Sequence, residues 1–257
     1  MIHHAPADVS CCPGHQNRHD TKLVRPSDNE TMEHMRAVLW DMDGTLVDSE
    51  KLWDLALQEL YRRRGAVLSA EVRESTVGGS ADDVMAIVYA DLGLAPDAES
   101  VTREIDWLHV YTGELFEAGL PWQPGARELL DALTAEGVPM ALVTNTRRDL
   151  TEQALKSIGR HYFSVTVCGD EVARGKPAPD AYLRAAELMG FDALDCVAIE
   201  DSVAGTTAAE VAGCAVVVVP NDIEVPASPR RRHISSLLDV SVDDLRAVHA
   251  DLDRRPA

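Results

Sequence analysis

The sequence is organised around a short apolar run that ends in two aspartates, Val38-Leu39-Trp40-Asp41-Met42-Asp43-Gly44-Thr45. The run is too short for a helix and favours a buried strand. Gly44 permits a sharp turn that places both carboxylates just beyond the end of that strand. Two carboxylates this close repel each other unless a cation or a proton lies between them, and Mg²⁺ favours oxygen ligands. Taken alone, the stretch is compatible with either a magnesium site or a solvated turn.

Composition limits the partners of the chain. Its 257 residues, 46% of them hydrophobic, suffice for one large domain or two modest ones. The formal net charge of -19 argues against nucleic-acid binding, which needs a basic face. An anionic substrate would therefore need a metal ion and a basic residue at its site. No apolar run is long enough to span a membrane, and the N-terminus lacks the apolar core of a secretory signal. We expect a cytoplasmic protein, a monomer or weak homodimer, that binds neither nucleic acid nor membranes.

The cysteines indicate a reducing compartment, because 5 is an odd number and no disulfide framework is evident. Cys168, Cys196 and Cys214 lie in or beside apolar runs, and we expect them to be buried as small hydrophobic residues. Cys11-Cys12 lie near the N-terminus without the paired spacing of a zinc site.

The pattern predicts three parts of the chain. Residues 1–34 are polar without a period and are predicted to be a disordered leader. Residues 49–121 are predicted to form an inserted all-helical cap domain, beginning with a helix that has Ser49 as its N-cap. Residues 35–48 and 122–257 are predicted to form the core domain.

The core is predicted to be an α/β fold with a Rossmann-like parallel sheet, because continuous apolar runs alternate with helical segments. Strands are expected at residues 36–40, 140–143, 165–168, 196–199 and 215–219. Such a sheet carries helices on both faces. The Arg230–Arg232 run and the acidic segment after it are interpreted as solvated surface.

Three of these strands switch to polar residues at their carboxyl ends, where open α/β sheets bind ligands. The switches occur at Asp41, Thr144 and Glu200, and the loop before the last of these strands carries Lys176. Each residue alone has an ordinary explanation as a surface lysine, a helix cap or a strand-end turn. Their joint placement instead predicts a site for a phosphoryl group and Mg²⁺, formed by Asp41, Asp43, Thr144, Asn145, Lys176, Glu200 and Asp201.

Four motifs, in this order, resemble those of the haloacid dehalogenase superfamily, in the subgroup with a helical cap after the first strand. They are Asp41-Met42-Asp43-Gly44-Thr45, Leu142-Val143-Thr144-Asn145, Gly175-Lys176-Pro177-Ala178-Pro179-Asp180 and Ile199-Glu200-Asp201-Ser202-Val203-Ala204-Gly205. The resemblance covers about residues 36–240. The relatives include phosphoglycolate phosphatases, sugar-phosphate phosphatases and β-phosphoglucomutases.

The resemblance implies a role for each motif. Asp41 would be the nucleophile and a Mg²⁺ ligand, while Asp43 would be the general acid/base and bind Mg²⁺ through its carbonyl oxygen. Asp201 would be a metal ligand, with Glu200 at or near the metal. Thr144, the Asn145 backbone and Lys176 would hold phosphate. The dehalogenases of this family need no Mg²⁺ and lack the second aspartate, so Asp43 favours phosphoryl chemistry.

These roles predict a Mg²⁺-dependent phosphatase of small phosphorylated metabolites, of the sugar-phosphate or phosphoglycolate type, acting through a phospho-aspartate. Two alternatives stay open: a β-phosphoglucomutase-like mutase, and a non-catalytic relative that binds a ligand or partner. The mutase holds its distal phosphate with a cap arginine, but Ala81 stands at the position we align with it. Arg73 or the Arg62–Arg64 run are possible substitutes. Gly79 and Ser80 directly precede Ala81 in the loop of residues 76–83, and they are predicted to select the substrate.

Overall fold

The structure, a computed structural model, describes residues 35–76, 81–219, 221 and 224–253. Within these residues, six strands form one parallel sheet in the order β3-β2-β1-β4-β5-β6. The strands are β1 (Ala37–Trp40), β2 (Met140–Val143), β3 (Val165–Val167), β4 (Cys196–Glu200), β5 (Ala215–Val218) and β6 (Arg231–His233).

Helices fill most of the chain between and after the strands. The α-helices of the described residues are α1 (Glu50–Arg63), α2 (Ala70–Thr76), α3 (Ala81–Asp91), α4 (Ala98–Glu117), α5 (Ala126–Ala135), α6 (Arg148–Ile158), α7 (Asp180–Met189), α8 (Val203–Ala212) and α9 (Val242–Asp253). Short 3₁₀ turns occur at Arg160–Tyr162, Gly169–Glu171 and Ala193–Asp195. None of these helices is both long and apolar enough to cross a membrane.

Strand β1 lies inside the sheet, and its four residues are fully buried. Val38 and Trp40 belong to a hydrophobic cluster that includes side chains of α5, α6 and α9. Ala37 and Leu39 belong to a second cluster on the opposite face, with side chains of α7 and α8. Because successive strand residues point to opposite faces, a strand packed on both faces must be apolar throughout. The predicted α/β fold, with helices on both faces of a parallel sheet, is confirmed.

The chain between β1 and β2 contains α1 to α5. The part formed by α1 to α4 agrees with the predicted helical cap. Its helices share a third hydrophobic cluster, which includes Leu60, Met85 and Leu108. The two connections to the core lie together, because the Asp48 backbone N–H donates to the Pro121 carbonyl oxygen at 2.8 Å. The limits predicted for the domains are not tested by these contacts and stay a prediction, and residues 1–34 lie outside the described residues.

The interpretation of Arg230–Arg232 as solvated surface is wrong for Arg231. Arg231 and Arg232 are the first two residues of β6, which pairs in parallel with β5. The Arg231 side chain is only 8% exposed and pairs with Glu210 at 2.8 Å. The acidic segment that follows contains α9, whose Leu245 and Leu252 are buried. A run of arginines carries no apolar signal, but long side chains can bury their stems while their charged ends are paired.

The buried positions predicted for Cys168, Cys196 and Cys214 are confirmed, and all three cysteines are free. Cys11-Cys12 lie outside the part of the chain that the structure describes.

Gly125, immediately before α5, lies very close to the backbone of Leu237 and Leu238, and its substitution tests this contact. Its φ is +86°, and a Cβ atom there would lie 2.3 Å from backbone atoms of Leu237 and Leu238. We expect Gly125→Ala to lower the free energy of unfolding by about 2–5 kcal/mol, from left-handed strain and backbone overlap together. Urea unfolding measures this loss.

Gly137→Ala is the matched control. Gly137 also has a positive φ, +67°, but a Cβ there would meet nothing within 4 Å. The free energy of unfolding of Gly137→Ala should fall by only the cost of left-handed strain, about 1–2 kcal/mol. Equal losses in the two variants would contradict the close approach at Gly125.

Candidate active site

The polar residues predicted at strand ends lie on three neighbouring strands. β1 is paired with β2 on one side and with β4 on the other. Asp41 follows β1, Thr144 follows β2, and Glu200 is the last residue of β4. Because these strands are parallel, all three residues lie at the same edge of the sheet. The structure therefore brings together residues that are up to 159 positions apart in the sequence.

Lys176 lies at the centre of this edge and is buried. Its Nζ donates to Oδ1 of Asp41 at 2.5 Å, to Oε1 of Glu200 at 2.7 Å and to the carbonyl oxygen of Val143 at 2.8 Å. An ammonium group has three protons, so these contacts use its full donor capacity. Burial lowers the pKa of Lys176, but the Asp41 and Glu200 charges outweigh burial and raise the pKa above its ordinary value. The lysine therefore stays charged.

Glu200 is fully buried and accepts hydrogen bonds on both oxygens. Oε1 receives Lys176 Nζ and, at 2.6 Å, the hydroxyl of Tyr182. Oε2 receives the Asp201 backbone N–H at 3.2 Å and the Ser202 hydroxyl at 3.3 Å. A buried carboxylate is tolerated when it is paired and hydrogen-bonded, and Glu200 meets both conditions.

Asp201 is held by two side chains that the sequence analysis did not single out. Thr45 Oγ1 donates to its Oδ1 at 3.1 Å, and Asn221 Nδ2 donates to its Oδ2 at 2.5 Å. Gly44 has a φ of +83°, and a Cβ there would lie 2.1 Å from Oδ2 of Asp201. Glycine is required at this position both for the turn and for the close approach of Asp201.

Asp43 is only partly buried and is bound by three hydroxyl groups. Ser49 donates to its Oδ1 at 2.6 Å, while Thr146 and Thr144 donate to its Oδ2 at 2.7 and 3.2 Å. Ser49 does occupy the N-cap position of α1, as predicted, but its side chain makes no capping hydrogen bond to the helix. The start of α1 is thus tied to Asp43.

The Asn145 side chain connects two loops. Its Oδ1 accepts the Lys176 backbone N–H at 2.8 Å, and its Nδ2 donates to the Lys176 carbonyl oxygen at 3.2 Å. Asn145 therefore holds the Lys176 loop against the end of β2. The structure does not describe Gly79 and Ser80, which were predicted to select the substrate.

A divalent cation fits the acidic residues at this edge. Asp41, Glu200 and Asp201 are buried, and each offers one carboxylate oxygen within 4.8 Å of the others. Burial, followed by the Glu200 charge, raises the pKa of Asp41 well above its usual value and that of Asp201 to about 7. One lysine does not balance the charge of these carboxylates, so an additional positive charge would stabilise their ionised forms. Oxygen donors of this type suit hard cations such as Mg²⁺.

Six side chains that contact the predicted residues were not themselves predicted to belong to the site: Thr45, Ser49, Thr146, Tyr182, Ser202 and Asn221. The sequence signal that could have found them differs from one to the next. Asn221 follows β5 closely, so the rule of polar residues at strand ends would have found it. Tyr182 lies on a helix among buried apolar residues, where its spacing indicates only core packing.

Comparison with known proteins shows similarity to a family of hydrolases. The sequence model of a hydrolase family, the haloacid dehalogenase-like hydrolases, matches residues 35–213. Hexitol phosphatase A of Escherichia coli K12 is 34% identical over 191 residues, which cover 74% of this chain and 86% of the relative. The bifunctional riboflavin kinase/FMN phosphatase of Arabidopsis thaliana is 30% identical over 216 residues. That alignment covers 80% of this chain but 54% of the relative, so the chain spans about half of the plant protein's length.

A solved structure is also similar. CbbY from Rhodobacter sphaeroides, crystallised in complex with phosphate, superimposes with a TM-score of 0.68 at 26% sequence identity. The superposition covers 82% of this chain and 99% of the CbbY chain.

The raised pKa of Asp201 predicts the pH dependence of stability without metal. The folded state binds the Asp201 proton more tightly than the unfolded state, because the pKa rises from 3.8 to about 7 on folding. Stability contributed by this group is therefore present at low pH and is lost as pH rises from about 4 to 7. We expect Asp201→Asn to flatten this part of the profile of melting temperature against pH.

Added Mg²⁺ should raise the melting temperature more at pH 7.5 than at pH 5, because protons compete with the cation for the carboxylates. Asp106→Asn, at an exposed position of α4, is the control and should keep the wild-type profile. A cation effect that is equal at both pH values would argue against a metal site at these carboxylates.

Proposed function

The chain belongs to the haloacid dehalogenase-like hydrolases, and from this premise we propose that it is a Mg²⁺-dependent phosphatase of small phosphorylated metabolites. The observation that carries the proposal is the buried contact between Lys176 Nζ and Asp41 Oδ1, because Asp41 also belongs to a cluster of three carboxylates whose oxygens lie within 4.8 Å of one another. A lysine bound to one carboxylate oxygen leaves the other to act as a nucleophile. The cluster supplies the oxygen ligands that Mg²⁺ requires.

In the first step, the free oxygen of Asp41 attacks the phosphorus atom of the substrate. The P–O bond to the leaving alcohol breaks as the new P–O bond to Asp41 forms, which gives a phospho-aspartate. Asp43, as general acid, gives a proton to the leaving oxygen. The hydroxyl groups of Ser49 and Thr146 hold Asp43 at the edge of the site before it acts.

In the second step, Asp43 acts as general base and removes a proton from water. The water oxygen attacks phosphorus, the bond to Asp41 breaks, and inorganic phosphate leaves. Thr144 and the Asn145 backbone N–H are proposed to bind the equatorial oxygens in both steps. Lys176 stabilises the negative charge on the transferring group, for which it must exchange one of its three present acceptors.

Asp41, Glu200 and Asp201, with the carbonyl oxygen of Asp43, are proposed to hold the Mg²⁺. When bound, Mg²⁺ supplies charge neutralisation at the transferring phosphoryl group. The cation would also reduce the repulsion between an anionic substrate and a chain whose formal net charge is -19.

Residues 49–121 are proposed to act as a cap that excludes water and selects the substrate. Most of their buried hydrophobic side chains form a cluster of their own, which supports this division, while Phe116 of α4 belongs to a cluster of the core. Gly79 and Ser80 remain the proposed selecting residues, and a sugar phosphate or phosphoglycolate the proposed substrate type.

The cap arginines already contact other residues of the cap, which favours hydrolysis over the mutase alternative. Arg73 pairs with Glu50 at 2.7 Å and Asp54 at 3.3 Å. Arg62 and Arg64 pair with other cap carboxylates, and Arg63 lies over the Trp107 ring. Each arginine that was considered as a substitute for the mutase residue therefore already has a partner within the cap.

A cytoplasmic location and a monomeric or weakly dimeric state, without nucleic-acid or membrane partners, complete the proposal. Cell fractionation tests the location, and measurement of the molecular mass by sedimentation tests the oligomeric state.

Phosphate release from a panel of phosphorylated metabolites and one aryl phosphate, with Mg²⁺ and with a chelator, tests the proposed function. We expect Mg²⁺-dependent release from the wild type and none above background from Asp41→Asn, since the nucleophile is removed. Wild-type rates in Asp41→Asn would overturn the covalent mechanism. Isomerised sugar phosphate without free phosphate would identify a mutase, and Mg²⁺ binding without turnover a non-catalytic relative.

Lys176→Ala tests the role of the buried ammonium group. We expect the rate to fall by about 10²–10³, the typical effect of removing one preorganised donor. Lys156→Ala is the control, because the Lys156 side chain is 67% exposed and pairs with Glu117 at the surface. If both variants keep the wild-type rate, Lys176 does not act at the site.

A further inference from the structure

We propose that Tyr182 is a positioning residue whose hydroxyl group, acting through Glu200, holds Lys176 against Asp41. The inference rests on the proposed function, because Asp41 is the nucleophile there. It concerns a residue of α7 that touches neither the proposed nucleophile nor the proposed general acid through its hydrogen bond.

Tyr182 and Lys176 donate to the same oxygen. The tyrosine hydroxyl lies 2.6 Å from Glu200 Oε1, and Lys176 Nζ lies 2.7 Å from it. Tyr182 is fully buried, and its hydroxyl group has Glu200 Oε1 as acceptor. Because an ionised carboxylate can only accept, the phenol is the donor in this hydrogen bond.

A shared acceptor couples the two donors. Glu200 Oε2 is occupied by the Asp201 backbone and Ser202, so the Tyr182 contact determines how far Oε1 can turn toward or away from Lys176. Lys176 in turn contacts Oδ1 of Asp41 at 2.5 Å. A change in the position of Oε1 is thus passed to Asp41 through one ammonium group.

Gly205 leaves room for the Glu200 carboxylate. A Cβ at this position of α8 would lie 1.8 Å from Oε1 and 2.1 Å from Oε2 of Glu200. Real Cβ contacts are never this short, so the carboxylate occupies space that only glycine leaves open. Tyr182 and Gly205 together define where Glu200 lies.

Tyr182 also contacts Lys176 directly, because Nζ lies over the tyrosine ring at 5.2 Å from its centroid. Phenylalanine keeps this ring and the packing around it, but it cannot donate to Glu200. Tyr182→Phe therefore removes only the contact on which the proposal depends.

The experiment combines steady-state kinetics with the ¹H–¹⁵N spectrum of the lysine ammonium groups in the metal-free protein. The chain has only four lysines, Lys22, Lys51, Lys156 and Lys176, so the Lys176 signal is identified by its loss in Lys176→Arg. We expect Tyr182→Phe to lower kcat by about 10- to 100-fold, as is typical for residues that orient a catalytic group, with little change in KM. The Lys176 signal should shift and exchange faster with water.

Tyr61→Phe is the matched control. Tyr61 is also fully buried, and its hydroxyl donates to Asp91 at 2.9 Å within the cap. It should leave both kcat and the Lys176 signal at wild-type values. Equal effects of Tyr61→Phe and Tyr182→Phe on kcat would overturn the proposal, because they would reflect a general loss of stability.

Gly205→Ala would place a Cβ atom against the Glu200 carboxylate and should change the same two measurements. An unaltered Lys176 signal in folded Tyr182→Phe or Gly205→Ala overturns the proposal, as does a Tyr182→Phe protein that does not fold. If the wild type releases no phosphate, the proposed function fails, while the Lys176 signal still tests the link from Tyr182 to Lys176.

Discussion

The structure depends on an imbalance of buried charge at one edge of the sheet. Asp41, Glu200 and Asp201 lie together with one ammonium group, that of Lys176. Ionised groups are costly to bury unless they are paired and hydrogen-bonded. The Lys176 contacts to Asp41 and Glu200 offset part of this cost, and the raised pKa of Asp201, about 7, indicates that part remains. A site that is electrostatically incomplete in this way is suited to a divalent cation and an anionic phosphoryl group.

The fold brings these groups together by simple means. Parallel strands end at one edge, and β1 lies between the strands that carry Thr144 and Glu200. The chain then enters the cap within a few residues of Asp43, and Ser49 at the start of α1 is hydrogen-bonded to that carboxylate. The entry and return connections of the cap also contact each other, at Asp48 and Pro121. The placement of the proposed acid/base is therefore connected to the attachment of the cap.

Local pattern predicted most of the elements. The strand predicted at residues 140–143 has those limits in the structure, and the other core strands differ by one residue. These strands are continuous apolar runs because both of their faces are covered. β6 was missed because it lies at the edge of the sheet, where a strand need not be a continuous apolar run. It consists of Arg231, Arg232 and His233. α9 was missed because acidic residues at its start concealed the apolar positions at Leu245 and Leu252.

From residues alone, one obtains the parallel α/β fold, the helical insert and the set of polar groups at the strand ends, because apolar period and motif spacing are local properties. The pairing of those groups is decided by the tertiary structure. Glu200 meets Tyr182, Asp201 meets Asn221, and Asp43 meets Thr146, which is 103 positions away in the sequence. Such contacts arise only when helices and loops pack at distances of a few ångströms, and no periodicity in the sequence encodes which donor then faces which acceptor.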